Sequence, residues 1–127
     1  MAVCNNNIIN IKVGSGVVLN CVYQDSSGKG LSLKDMSIQV DFRDPKTGNL
    51  LATGHTANLS IIITDEITGE YTINVGSSLG WPVGQMPVDI LYLHGGITQH
   101  TEDFILDFTP SRTQTKVASP TASTVLG

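Results

Sequence analysis

Residues 88–108 read VDILYLHGGITQHTEDFILDF. Two histidines (His94, His100), three aspartates (Asp89, Asp103, Asp107) and Glu102 surround Gly95-Gly96, with apolar runs on either side. The stretch is either a β-hairpin or a cluster of polar groups poised for chemistry. A two-residue Gly-Gly turn pairs His94 with Ile97 and Tyr92 with Gln99. Continued without a break, that register puts Ile90 and Tyr92 on the face opposite Phe104 and Leu106, because side chains alternate with a period of two. A bulge or a longer loop is therefore required. With it, Ile90 and Tyr92 share a buried face with Phe104, Leu106 and Phe108, while Asp103 and Asp107 turn outward.

As a site, the same residues lack what chemistry demands. His94, His100 and Asp103 supply donors for zinc, but no third histidine and no H-x-H or H-E-x-x-H spacing fixes a coordination geometry. A glycosidase needs two carboxyls across a cleft, one of them in an apolar pocket, and outward aspartates on a hairpin meet only the count. No G-x-S-x-G elbow surrounds a serine. The expectation is a structural hairpin in a protein that is not an enzyme, with no catalytic residue, no metal and no cofactor.

The rest of the chain has the same periodicity. Met36, Ile38, Val40 and Phe42 alternate with Ser37, Gln39, Asp41 and Arg43, and Tyr71, Ile73 and Val75 alternate with Thr72 and Asn74. That is the pattern of strands with one buried and one wet face. The runs IINIKV, VVLNCVY and LSIIIT are short and β-branched, and Gly, Asn, Asp, Ser and Pro clusters separate them. Seven or eight strands at this spacing, with no helical stretch of ten residues, predict an all-β, immunoglobulin-like antiparallel sandwich over residues 1–109. From Pro110 the sequence becomes TPSRTQTKVASPTASTVLG, too poor in apolar residues to join a core. Residues 110–127 are expected to form an extended Ser/Thr-rich arm that attaches to a neighbouring subunit, with Val117, Val125 and Leu126 as its anchors.

Composition narrows the partners. Charged residues are 14% of the 127 and the formal net charge is −4, which argues against a nucleic-acid ligand, whose phosphates need clustered Lys and Arg. No run is long enough to span a bilayer. The start, MAVCNNNIINIKV, has neither a basic segment nor an apolar core, so no secretory leader is expected. Cys4 and Cys21 are accordingly expected as free thiols of a reducing cytoplasm. Asn58-Leu59-Ser60 matches a glycosylation acceptor that would then stay idle. Gly14-Ser15-Gly16 lacks the strand-loop-helix setting of a phosphate cradle and reads as a turn. Trp81, before Pro82, packs the end of the sandwich or, in the alternative reading of the chain as a carbohydrate-binding module, stacks on a sugar ring.

One resemblance links these pieces. Asp25, Gly28, Leu33, Ile38, Val40, Phe42, Arg43 and Asp44, then Gly69 and Tyr71, then Gly84, Asp89, Ile90, Phe104 and Leu106 follow the order seen in a family of small tailed-bacteriophage virion proteins. The Ig-like module of that family is similar to the amino-terminal domain of baseplate upper proteins. The resemblance covers residues 14–110, and it departs at Met86, Pro87 and Val88, where the family usually has aromatics. It implies a structural virion protein, made in the host cytoplasm, that serves as an adaptor, collar or fibre-attachment subunit of the tail or neck. A capsid decoration protein is the alternative. The partners implied are other phage structural proteins and copies of itself, with a host surface glycan less favoured and with neither nucleic acid nor membrane.

Overall fold

The computed structural model describes residues 2–4, 8–101 and 104–112. Eleven strands lie among them: β1 Ala2–Cys4, β2 Ile8–Lys12, β3 Gly16–Tyr23, β4 Ser37–Arg43, β5 Leu50–His55, β6 Ile61–Asp65, β7 Glu70–Ser77, β8 Gly84–Val88, β9 Ile90–His94, β10 Ile97–His100 and β11 Phe104–Thr109. The one helical element among the described residues is a 3-10 turn over Thr56–Asn58.

Three hydrogen-bonded sheets result, of orders β1-β3-β7-β6, β10-β9-β4-β5 and β2-β11-β8. The last two meet where β8 runs into β9 across a single residue, Asp89. β9 and β10 pair His94 with Ile97 and Leu91 with His100, and Thr101 N–H donates to the Ile90 carbonyl at 2.9 Å. Beyond that point β8 and β11 pair Val88 with Phe104 and Gly84 with Phe108. Between Ile90, which faces Thr101, and Val88, which faces Phe104, the register shifts by one residue, the shift that a β-bulge produces. The phase shift required by the sequence is thus supplied, and Ile90, Tyr92, Phe104, Leu106 and Phe108 are all buried. Eleven short strands thus stand among the described residues where seven or eight longer runs were read.

Alternation places the core where the sequence placed it. β4 buries Ile38, Val40 and Phe42, and β7 buries Tyr71 and Ile73. Met36 precedes β4 and is only half-buried. Turn chemistry fixes the connections. Asp25 Oδ1 accepts from Ser27 N–H at 2.9 Å and Lys29 N–H at 3.0 Å, and Asp44 Oδ1 accepts from Lys46 N–H at 2.8 Å. These are Asx turns, in which a short carboxylate replaces a backbone acceptor. Gly69 has φ +80°, and a Cβ there would lie 2.5 Å from both the Leu31 and Tyr23 carbonyl oxygens. Only glycine fits that approach, which accounts physically for the Gly-x-Tyr opening of β7.

The two cysteines correct the expectation of free thiols. Cys21 is disulfide-bonded. The chain's other cysteine, Cys4, stands directly opposite it in the β1–β3 register. Adjacent antiparallel positions bring Cα atoms to about 4.5–5.5 Å, within disulfide range. The alternation of Cys21 with Leu19 and Tyr23 was read as a small buried hydrophobe, and that reading missed the pairing because the register of β1 is set by the tertiary fold.

Candidate functional site

The buried polar centre of the molecule is a tyrosine cluster. Tyr71 on β7 and Tyr92 on β9 belong to different sheets, and their hydroxyls meet at 2.5 Å in the interior. Their rings meet edge to face with centroids 6.1 Å apart, and Tyr23 lies against Tyr92 at 4.5 Å. Burial pushes both the Tyr71 and Tyr92 phenols well above their ordinary range, since an ionised phenolate would lose its water there. The pair is a neutral hydrogen-bonded strut. It bridges the sheets that carry β7 and β9.

Above the strut the hairpin overhangs the sandwich. A cleft of about 160 Å³ opens there, lined by Met36, Tyr92, His94, Ile97 and Gln99. Tyr23 Oη donates to Gln99 Oε1 at 3.4 Å along this end, while Ile97 is 75% exposed at the rim. Gly95 and Gly96 both have positive φ, +58° and +82°, as a two-residue type I′ turn requires.

The polar groups of residues 88–108 do not converge. His100 Nδ1 lies 2.8 Å from Asp89 Oδ2 on the exposed outer face, whereas His94 lines the cleft on the other side of the strand. Asp107 pairs in register with Gln85, far down β11, and Asp103 lies outside the described residues. No group of three or more His, Cys, Asp or Glu able to hold a metal occurs among the described residues.

Trp81 belongs to the core. It is 9% exposed, with ring centroids 5.7 Å from Phe42 and 5.4 Å from Phe108. The packing half of its double reading describes this position, with Phe42 tilted against the indole and Phe108 meeting it edge-on. The loop carrying it is pinned by Ser78, whose Oγ donates to the Ser15 carbonyl at 2.8 Å and accepts from Gly14 N–H at 3.0 Å. Gly14-Ser15-Gly16 is the turn between β2 and β3, as read. Asn58, the last residue of the 3-10 turn, accepts from Ser60 N–H at 3.0 Å through Oδ1. The arm anchors Val117, Val125 and Leu126 lie outside the described residues.

The layers, their alternation and their strand order define an all-β, immunoglobulin-like sandwich. A solved structure agrees. The chain is similar to the swine CD8aa homodimer, with a TM-score of 0.50 at 10% identity over 85% of this chain and 97% of that one. It is also similar to murine CRIg, with a TM-score of 0.46 at 8% identity over 88% and 99%. No family model and no curated protein matches the sequence.

Proposed function

We propose that the chain is a non-enzymatic structural subunit of a tailed-bacteriophage particle, an adaptor, collar or fibre-attachment component of the tail or neck. The observation that supports this reading is where the residues shared with small phage virion proteins fall. Leu33, Ile38, Val40, Phe42, Tyr71, Ile90, Phe104 and Leu106 are buried, and Gly69 makes the close approach beneath β7. The resemblance is therefore one of framework, which suits a module used for its surfaces and edges. The bond at Cys21 is compatible with it, because disulfides persist on virion surfaces once a particle leaves the reducing cell.

The test is location. Antibody raised against the chain should label the tail, neck or fibre base of purified particles in electron micrographs, with the chain present in their mass spectra. Label spread over the head would select the decoration alternative, and particles free of the chain would end the proposal.

A further inference from the structure

The outermost strands of the three sheets are not equally protected. Short length, charge, proline and bulges are the devices that keep a sheet edge from recruiting another strand. β1 is three residues long, β2 ends in Lys12, β6 ends in Asp65 after a register shift, and β8 carries Pro87. β5 takes a register shift opposite Phe42 and Arg43, and its His55 N–H donates to Ser60 Oγ at 2.8 Å. β10 is four residues long and has none of the other devices. Ile97-Thr98-Gln99-His100 holds no Asp, Glu, Lys, Arg or Pro, it pairs with β9 without a register shift, and all four residues are exposed.

The hairpin fixes what this edge offers. Thr101 N–H donates to the Ile90 carbonyl at 2.9 Å, and the bonding direction alternates along an antiparallel strand. Ile97 and Gln99 therefore bond toward β9, opposite His94 and Tyr92, while the N–H and C=O groups of Thr98 and His100 point outward. Among the described residues β9 is the only strand that β10 pairs with. Donors and acceptors thus alternate along an edge that matches its own image after a half-turn.

We propose that two copies of this chain pair β10 against β10, antiparallel, about a twofold axis at Gln99. In that register Thr98 and His100 of one copy exchange hydrogen bonds with His100 and Thr98 of the other, so all the outward groups are used. An axis at Thr98 would instead set His100 opposite Gly96, inside the turn. A second copy is the fitting occupant because the other edges of the chain are blocked, which leaves it only its own β10 to offer. Charge agrees: a chain of net charge −4 meets itself with least repulsion along an edge free of acidic residues. The hairpin also projects past the sandwich, so no facing layer stands between the copies. Ile97 and Gln99 line the cleft beside Tyr92, so the pairing sets the two clefts side by side across the axis, with Ile97 of each copy opposite Thr101 of the other. The contact is isologous and closes as a dimer. Four residues a side make it a small, transient one. It goes beyond the reading of the chain as a particle subunit and does not depend on it.

A register-specific cross-link on the full chain tests it. Non-hydrogen-bonded antiparallel neighbours have Cα atoms about 4.5 Å apart, within disulfide range, and the proposed axis makes Gln99 such a neighbour of its own counterpart. With Cys21 already disulfide-bonded, Gln99→Cys adds the reactive thiol, and mild oxidation should convert the variant to a covalent dimer. Ile97→Cys, at a 75% exposed position, should not cross-link, because two residues along each strand separate the pair by about 14 Å. Adding Thr98→Pro to Gln99→Cys should lower the cross-linking rate by roughly tenfold or more, since proline removes an outward N–H that β9 does not use. Thr98→Lys, which puts a charge on the edge, provides the same readout should the proline variant misfold. Equal cross-linking at 97 and 99, no dimer from Gln99→Cys, or a rate untouched by both changes at Thr98 overturns the proposal. A Gln99→Cys chain that cross-links instead to another protein of the particle overturns it too, by naming a different strand as the occupant. A chain that dimerises this way yet is missing from particles overturns the particle reading alone.

Discussion

β8 and β11 bury Met86, Val88, Phe104, Leu106 and Phe108, whereas β10, which continues the same strand pair across the bulge, buries none of its four residues. Both halves are antiparallel and alternate apolar with polar residues. What separates them is a facing layer. Below the bulge the inward side chains join the buried core, where Phe108 meets Trp81; above it the hairpin projects past the tyrosine strut, and Met36, Tyr92 and Tyr23 face its inner side. Pairing of strands is thus a local property here, and burial is a tertiary one. Stability should follow the second.

The comparison breaks most readily at the lower half. Phe42 is fully buried and packs on Trp81, which in turn packs on Phe108. Phe42→Ala is expected to cost about 3–5 kcal/mol, a large share of a small domain's stability, so the variant should be largely unfolded or aggregated. Ile97→Ser at the hairpin tip changes a side chain that is 75% exposed and should shift stability by no more than about 0.5 kcal/mol. Urea melts of the two variants side by side give the measurement. Equal losses would mean that the overhanging half is as much a part of the cooperative core as the lower one.

The boundary between the halves is the tyrosine strut, and it yields an intermediate effect. Tyr71→Phe removes one hydroxyl and leaves that of Tyr92 buried without this partner, which is expected to cost about 1–3 kcal/mol. The same pair makes stability depend on alkaline pH. Burial raises both phenol pKa values in the folded state, so their stabilising contribution is complete below the unfolded value of about 10 and is lost as pH rises beyond it. Thermal melts of the wild type should therefore fall above about pH 10, and Tyr71→Phe should show a shallower decline. Parallel declines would place the alkaline sensitivity elsewhere.

Much of this difference was legible in the sequence, and its limits have physical causes. Period-two alternation identified Ile38, Val40, Phe42, Tyr71, Ile73 and Phe104 as core, because each strand carries its own record of which face is wet. The impossible phase between Tyr92 and Phe104 demanded a bulge or longer loop, and the register does shift by one residue between Ile90 and Val88. The disulfide at Cys21 was invisible, since it depends on which strand lies beside β3 and in what register. So was the strut: Tyr71 and Tyr92 are inward positions of separate runs, and nothing local states that their hydroxyls meet. Trp81 allowed two readings until the fold put aromatic rings against it.

The smallest expected effect belongs to the residues that first suggested chemistry. His100 and Asp89 form a close pair, but their side chains are 62% and 45% exposed, and surface pairs of this kind contribute about 0–1 kcal/mol after screening and side-chain ordering. His94 lines the cleft from the projecting half, where no facing layer holds it. Replacing both histidines by alanine should therefore lower stability by no more than about 1 kcal/mol. Metal analysis of the purified chain adds a second readout. Stoichiometric zinc or nickel, lost in the double variant together with several degrees of melting temperature, would mean that the two histidines reach a common ion by a rearrangement of the tip. The overhang would then be a binding element that orders on its ligand, and the contrast between the halves would lie in what each is built to contact.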